Sequence, residues 1–303
     1  MNVIFMGTPP FACASLRALA AGGHRIAAVV TRPDKPTGRG RRLTPPPVKL
    51  LAQELGLPVL QPAKVNAAGS VEQLRALKPD VLVVAAFGAI LREPLLQLAP
   101  HGAVNVHASV LPAYRGVAPA PWGLIHGAIS SGVSTMLMDA GVDTGPVFLT
   151  RELDILPEET AGELLERLGE LGGELLLETL QGLEAGSLAP TAQPDCGASY
   201  APRLDKAHGN LDLERPAHRV FDHYRGVTPA PGARLFLGDE PLLVERMALG
   251  KGHHGIAYEV EEIGKQHLRV ATSDGALDLL RVRPAGKNSM DAAAFARGRR
   301  LEP

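Results

Sequence analysis

Short apolar runs alternate with amphipathic stretches along the first 188 residues of the chain. The runs are continuously apolar or rich in β-branched residues, as buried strands are, and they cover 3–7, 25–31, 80–86, 102–107 and 134–139. The stretches repeat their apolar positions at helical spacing, and they cover 11–21, 48–55, 71–77, 94–98, 122–127 and 162–184. Strands that alternate with helices predict a Rossmann-like α/β fold with a mostly parallel sheet.

A change of pattern divides the chain. Residues 186–208 are rich in Pro, Gly, Ala and Ser without periodicity, which is typical of a linker. One predicted helix, 216–224, then precedes short apolar segments between glycine turns, which are 233–237, 242–248, 257–263, 267–271 and 276–282. We expect a first domain over 1–188, a linker over 189–207 and a smaller, OB-like β-barrel over 208–303.

Composition narrows the class of protein. The 303 residues are 45% hydrophobic, and no apolar run approaches the roughly 18 to 20 residues of a bilayer-spanning helix, so a globular protein without a membrane partner is expected. Met1 leads directly into a strand, which predicts no leader segment. Cys13 and Cys196 lack the spacing of a zinc site or a disulfide framework. The net charge is −1, so a nucleic-acid partner would need a local basic patch.

Three polar residues stand where an open parallel sheet binds its ligands, beyond the carboxyl ends of its strands. Asn105 and His107 are two apart on one predicted strand, so both side chains project to the same face. Each can donate a hydrogen bond to a shared oxygen, as in an oxyanion site. Asp143 lies in a glycine-bounded turn, 139–146, and a carboxylate beside an imidazole favours the imidazolium form. Together the three suit acyl transfer without a nucleophilic side chain.

A basic segment, residues 32–47, follows the second predicted strand. It is rich in Pro and Gly, which predicts a loop, and Asp34 is its one acid. Loops of this length in compact domains are usually functional or disordered, and this one would emerge beside the cleft. A run of charge is otherwise most often a solvated face, so RNA binding is one of two interpretations. Its basic residues are Arg32, Lys35, Arg39, Arg41 and Arg42.

Longer motifs resemble those of a known family, the folate-dependent formyltransferases. The resemblance is most specific in residues 105–116, NVHASVLPAYRG, and in the turn 139–146, DAGVDTGP. Residues 5–9, the basic segment and residues 284–290 resemble the branch of that family that formylates methionine on initiator tRNA. The motifs occur in the family's order over nearly the entire chain. The chain departs from the branch at Pro10, where an acid is usual.

The resemblance implies a reaction and its residues. Asn105, His107 and Asp143 match the family's catalytic residues, and an amine would attack the formyl carbon of 10-formyltetrahydrofolate. That donor is already activated, so no metal is expected. The acceptor would be methionyl initiator tRNA, bound by the basic segment and the 208–303 domain of a monomeric enzyme in the bacterial cytoplasm. The folate site would comprise Phe87, Gly88, Ser109, Val110, Leu111, Pro112, Asp139 and Gly141.

Several alternatives stay open at this stage. The same catalytic residues would serve a small acceptor, such as glycinamide ribonucleotide or an amino sugar nucleotide. A non-catalytic RNA-binding or folate-binding protein is a third hypothesis, which the presence of Asn105, His107 and Asp143 argues against. Within the basic segment, either Arg41 or Arg42 could meet the unpaired end of the tRNA.

Overall fold

The computed structural model describes residues 1–37, 42–237, 241–252 and 255–303. The chain forms two compact units. The first unit comprises Met1–Pro119, Ser130–Leu153 and Leu165–Ala201. The second unit comprises Ala120–Ile129, Asp154–Leu164 and Pro202–Pro303. Two inner segments, 120–129 and 154–164, therefore group with the C-terminal residues, a subdivision that the sequence pattern does not display.

The regular elements are short strands and helices. The strands are β1 (Asn2–Gly7), β2 (Arg25–Val30), β3 (Lys35–Thr37), β4 (Arg42–Thr44), β5 (Val59–Leu60), β6 (Val81–Ala85), β7 (Ala103–His107), β8 (Arg115–Gly116), β9 (Ser130–Leu137), β10 (Val147–Asp154), β11 (Tyr200–Ala201), β12 (Ala233–Phe236), β13 (Pro241–Leu249), β14 (Val260–Ile263), β15 (Leu268–Ala271), β16 (Ala276–Pro284) and β17 (Met290–Asp291). The helices are α1 (Pro10–Ala21), α2 (Pro47–Glu54), α3 (Ala68–Arg75), α4 (Glu93–Leu96), α5 (Pro119–Ile125), α6 (Ala161–Glu184), α7 (Ala217–Val227) and α8 (Ala292–Arg299).

The first unit is built on a seven-stranded sheet in the order β10-β9-β7-β6-β1-β2-β5. The five strands from β7 to β5 run parallel, and β9 is antiparallel to β7. All five residues of β6 are buried, as expected for a central strand covered on both faces. The mostly parallel sheet that the sequence predicted is confirmed. Because the parallel strands share a direction, their carboxyl ends lie along one side of the sheet, here termed the carboxyl edge.

Helices α1 and α6 show why the local sequence folds as it does. The leucine stripe predicted for α6 is buried at Leu164, Leu168 and Leu180, each fully inaccessible to solvent. Pro10, the departure from the family pattern, occupies the first position of α1, where a missing amide hydrogen costs no intrahelical bond. No helix in the described ranges combines the length and the apolar character needed to cross a bilayer.

The second unit contains an antiparallel sheet of order β12-β13-β16-β15-β14, with β17 paired to β16. Helix α7 packs on it through Val220, Phe221 and Tyr224, which lie in the same buried cluster as alternate residues of the strands. The predicted small β domain is therefore confirmed. The strand order runs from an edge at β12 to an edge at β14, and closure of the sheet into a barrel stays a prediction.

Three regions differ from the predicted elements. The basic segment was predicted as a loop, but β3 and β4 pair within it as an antiparallel hairpin. Strand β10 was missed because residues 150–154 carry three charges and are exposed at every second position, as on the edge strand of a sheet. Helix α8 and the preceding β17 were also missed, since an alanine-rich helix of eight residues carries little hydrophobic periodicity.

Candidate functional site

Strand β7 delivers two polar side chains to the carboxyl edge. Asn105 and His107 are 8% and 5% exposed, respectively, so both are buried polar residues that need partners. As expected from their spacing of two, they meet the same third residue. Strand β7 lies inside the sheet, between β6 and β9, which fixes the backbone that carries them.

The third residue is Asp143, whose two carboxylate oxygens face the two donors separately. Asn105 Nδ2 donates to Oδ1 at 3.3 Å, and His107 Nδ1 lies 3.6 Å from Oδ2. The side chain of Asp143 is only 14% exposed, so solvent screens these interactions weakly. The structure thus brings together the three residues that the sequence singled out. Two donors that converge on one carboxylate can also converge on another small group that carries oxygen.

The hydrogen-bond partner of the second ring nitrogen of His107 shows that this nitrogen carries a hydrogen. Nε2 lies 3.0 Å from the carbonyl oxygen of Tyr114, and a carbonyl only accepts hydrogen bonds, so Nε2 carries a hydrogen. Nδ1 also faces an acceptor, the Asp143 carboxylate. A doubly protonated ring satisfies both contacts, whereas a neutral ring would direct a lone pair at the carboxylate. Both ring nitrogens of His107 therefore face hydrogen-bond acceptors, which fixes the orientation of the ring.

The turn that carries Asp143 is closed by its own side chains and by tight backbone contacts. Asp139 accepts hydrogen bonds from the Gly141 amide at 3.0 Å and from the Thr144 hydroxyl at 2.8 Å. Asp143 adopts φ +53°, a left-handed conformation that few residues other than glycine adopt. At Gly145 a Cβ atom would lie 1.9 Å from the Leu137 carbonyl oxygen, so a larger residue does not fit. The conformation that aims Asp143 at β7 is imposed by its surroundings.

The predicted folate residues that follow β7 form a turn fastened to β9. The hydroxyl of Ser134 accepts from the Leu111 amide at 3.0 Å and donates to the Ser109 carbonyl at 2.8 Å. Ser109 in turn donates its hydroxyl to the Ala113 carbonyl at 2.6 Å. Val110 and Pro112 are half-buried in the same turn. This part of the carboxyl edge is therefore rigid and close to His107.

Two further predicted folate residues lie beyond β6 at the same edge. The Phe87 side chain is 3% exposed within the core, and its carbonyl accepts a hydrogen bond from the Thr8 hydroxyl at 2.8 Å. Gly88 is exposed at φ +80°, which glycine adopts without strain. The Phe87 side chain is thus part of the core, whereas Gly88, Asp139 and Gly141 are exposed to solvent.

The basic segment starts at the carboxyl edge and is anchored by its one acid. Asp34 accepts hydrogen bonds from Lys49 Nζ at 2.8 Å and from Gln61 Nε2 at 2.7 Å. The bonds from Gln61 and then Lys49 hold the pKa of the Asp34 carboxyl below its usual value, so it stays charged. Lys35 and Arg42 are exposed on β3 and β4, and Arg32 is half-buried. The predicted RNA-facing residues Arg39 and Arg41 lie outside the described residues.

Sequence reasoning missed two residues, Gly116 and Gln193, that hold the turn of Asp143 through hydrogen bonds. The Gly116 amide donates to Asp143 Oδ2 at 2.9 Å, and Gln193 Nε2 donates to the Asp143 carbonyl at 2.9 Å. Gln193 lies in the aperiodic stretch predicted as linker, where no pattern distinguishes it from its neighbours. Gly116 belongs to the 105–116 motif, but an amide contact leaves no signal in a sequence.

Comparisons with known proteins cover both halves of the chain. The family model described as formyl transferase matches residues 1–180, and the model described as formyl transferase, C-terminal domain, matches residues 203–300. A methionyl-tRNA formyltransferase of Trichlorobacter lovleyi is 46% identical over 99% of this chain and 95% of the relative.

Solved structures share the fold at low sequence identity. HypX from Aquifex aeolicus, in complex with tetrahydrofolic acid, gives a TM-score of 0.70 at 17% identity over 98% of this chain and 47% of that protein. An N-formyltransferase from Helicobacter canadensis, in complex with folinic acid and dTDP-3-aminofucose, gives 0.70 at 17% identity over 92% of this chain and 98% of that protein. Both structures establish the fold of the chain.

Proposed function

The chain belongs to the formyl transferase family, and on this premise we propose that it transfers the formyl group of 10-formyltetrahydrofolate to the α-amino group of methionine on initiator tRNA. The observation that carries the reaction type is the convergence of Asn105 and His107 on the Asp143 carboxylate. The proposal of methionyl-tRNA as the acceptor rests on the methionyl-tRNA formyltransferase that is 46% identical to this chain over nearly its full length. Formylation of this acceptor serves translation initiation, and we propose on that basis that the protein acts in the bacterial cytoplasm.

The proposed reaction uses the three residues in separate roles. The α-amine of methionine attacks the formyl carbon, and the carbonyl π electrons move to the formyl oxygen, which becomes an oxyanion. Asn105 Nδ2 carries a second hydrogen beside the one it donates to Asp143, and this hydrogen is donated to the oxyanion. The Nδ1 hydrogen of His107 is shared between the Asp143 carboxylate and the oxyanion. Asp143 orients His107 and accepts the proton that the attacking amine loses. Collapse of the intermediate breaks the bond to the folate nitrogen, which takes that proton from Asp143 and leaves.

The folate site in this proposal lies between two segments at the carboxyl edge, Gly88 and the 109–112 turn, and the 139–143 turn, which reaches Asn105 and His107 from the end of the antiparallel strand β9. The exposed backbone of the 139–143 turn and Gly88 offer hydrogen-bonding groups to a flat heterocycle, and the rigid turn 109–112 forms the neighbouring wall. The self-contained hydrogen bonds of Asp139 leave the turn formed before any ligand arrives, which lowers the entropic cost of binding.

The basic segment supports an acceptor amine that is attached to RNA. Lys35 and Arg42 are exposed, while the one acid of the segment is neutralised by Lys49 at its base. The hairpin therefore offers positive charge to the phosphates of an acceptor stem beside the edge that holds His107. The C-terminal unit is proposed as the second tRNA-binding region, on the strength of the family model that matches it.

Replacing Arg42 with Ala should raise KM for methionyl-tRNA about 10- to 100-fold and leave kcat nearly unchanged. Loss of one charge-assisted contact removes roughly 1.5 to 3 kcal/mol of binding free energy. The slope of log KM against the logarithm of the salt concentration should become shallower by about one. Steady-state formylation at several salt concentrations measures both effects. Arg75→Ala is the matched control, because Arg75 is exposed at the end of α3, near the start of β6 and away from the carboxyl edge.

The same variants should hydrolyse 10-formyltetrahydrofolate at the wild-type rate when no amine is present. Equal loss of formylation and hydrolysis in Arg42→Ala would contradict a role in binding tRNA.

A panel of acceptors tests the function itself: we expect formylation of methionyl initiator tRNA and none of glycinamide ribonucleotide or an amino sugar nucleotide. Formylation of a small amine but not of the tRNA would overturn the proposed acceptor.

A further inference from the structure

Gln193 is unusual within its surroundings. Every other residue from 191 to 200 is exposed, whereas Gln193 is half-buried. Its side-chain amide makes four hydrogen bonds. Nε2 donates to the carbonyl oxygens of Asp143 at 2.9 Å and Gly145 at 2.7 Å, and Oε1 accepts from Arg115 Nε at 3.0 Å and Nη2 at 2.8 Å.

The orientation of this amide follows from the chemistry of its partners. A guanidinium group only donates hydrogen bonds, so the oxygen of Gln193 must face Arg115. Backbone carbonyls only accept, so the nitrogen must face Asp143 and Gly145. Both N–H groups and both lone pairs of the amide are therefore used. A glutamate at this position would keep the contact with Arg115 but would direct an anionic oxygen at two carbonyl oxygens.

These contacts tie the catalytic turn to strand β8. Gly116, next to Arg115, donates its amide to the Asp143 carboxylate, and β8 pairs with β11. The backbone of Asp143 and its carboxylate are thus held by two neighbouring residues of β8, one of which acts through Gln193. Space at Gly116 is equally tight, because a Cβ atom there would lie 2.7 Å from the Ala201 carbonyl oxygen.

We propose that Gln193 is a positioning residue of formyl transfer, which fixes the backbone of Asp143 so that its carboxylate faces Asn105 and His107. This inference rests on the proposed function. Asp143 lies in an irregular turn with a left-handed backbone, so no helix or strand holds it in place. The contact to the Asp143 and Gly145 carbonyls supplies that constraint from a segment 50 residues away in sequence.

Gln193→Met should lower kcat for formylation by about 10- to 100-fold, the scale of a misplacement near 1 Å at a reacting group. KM for methionyl-tRNA should change less than about threefold, since the side chain touches the catalytic turn and not the basic segment. Gln193→Glu should lower kcat by at least the same factor. Gln181→Met, at an exposed glutamine of α6, is the matched control and should behave as wild type. Wild-type kcat in Gln193→Met would overturn the proposal.

A double-mutant cycle separates positioning from general loss of structure. If Gln193 acts through Asp143, then Gln193→Met should cost less than about twofold once Asp143→Asn is already present. Independent, additive losses would contradict the proposal. Thermal unfolding confirms that each variant is folded. Hydrolysis of 10-formyltetrahydrofolate without an amine should fall in parallel with formylation. If the wild type hydrolyses the donor but does not formylate the tRNA, then the proposed acceptor fails while the role of Gln193 is still tested.

Discussion

His107→Ala should lower kcat for formylation by about 10² or more, the loss measured when a donor to an oxyanion is removed. The imidazole has both nitrogens engaged, with Tyr114 and with Asp143, so the expected loss includes the fixed direction of Nδ1 as well as its charge. Asn105→Ala removes the other donor and should cost about the same factor. Single-turnover formation of formylmethionyl-tRNA isolates the chemical step from binding.

The control for this pair is His101→Ala. His101 is half-buried and precedes β7, at the opposite end of the strand from His107, so its loss should leave the chemical step unchanged. Because Asn105 and His107 are buried, circular dichroism and thermal unfolding should accompany the kinetics. A folded His107→Ala variant with kcat within threefold of the wild type would remove the oxyanion role from this residue.

Asp143→Asn should lower kcat by about 10² to 10³, the largest effect expected from a change of so few atoms. The amide keeps the size of the side chain but carries no charge and cannot accept a proton from the amine. The NH2 group of the new asparagine would also face a hydrogen-bond donor, because Asn105 Nδ2 and the Gly116 amide donate to the two carboxylate oxygens of Asp143. KM for the tRNA should change little.

Asp195→Asn is the matched control, because Asp195 is exposed in the same unit. It should retain wild-type kcat, measured by the same single-turnover reaction. Should Asp143→Asn retain more than about a third of wild-type kcat, the carboxylate would be a structural partner of β7 and not a participant in proton transfer.

The parts of the fold that the sequence predicts are those in which local pattern and burial agree. Strand β6 is continuously apolar because both of its faces are covered, and α6 shows its buried stripe directly as leucines. Asn105 and His107 could be paired from their spacing alone, since alternate residues of a strand share a face. These features depend on neighbours in sequence.

The missed features depend on contacts between distant residues. Strand β10 carries charges because one side of an edge strand faces solvent, which hides its apolar alternation. Gln193 acquires its role from Asp143, 50 residues away, and from Arg115, 78 residues away, so its own surroundings in sequence reveal nothing. The roles assigned to the folate and RNA residues stay predictions, since they describe contacts with molecules outside the chain.

The central claim is that Asn105, His107 and Asp143 form one catalytic group that formylates methionyl initiator tRNA. Single-turnover formation of formylmethionyl-tRNA from 10-formyltetrahydrofolate tests it most directly, with wild type and the triple variant Asn105→Ala, His107→Ala, Asp143→Asn measured side by side. We predict rapid formylation by the wild type, and a triple variant slower by about the factor of the worst single change, because the three residues act as a unit. Formylation by the triple variant at a rate near that of the wild type would contradict the account.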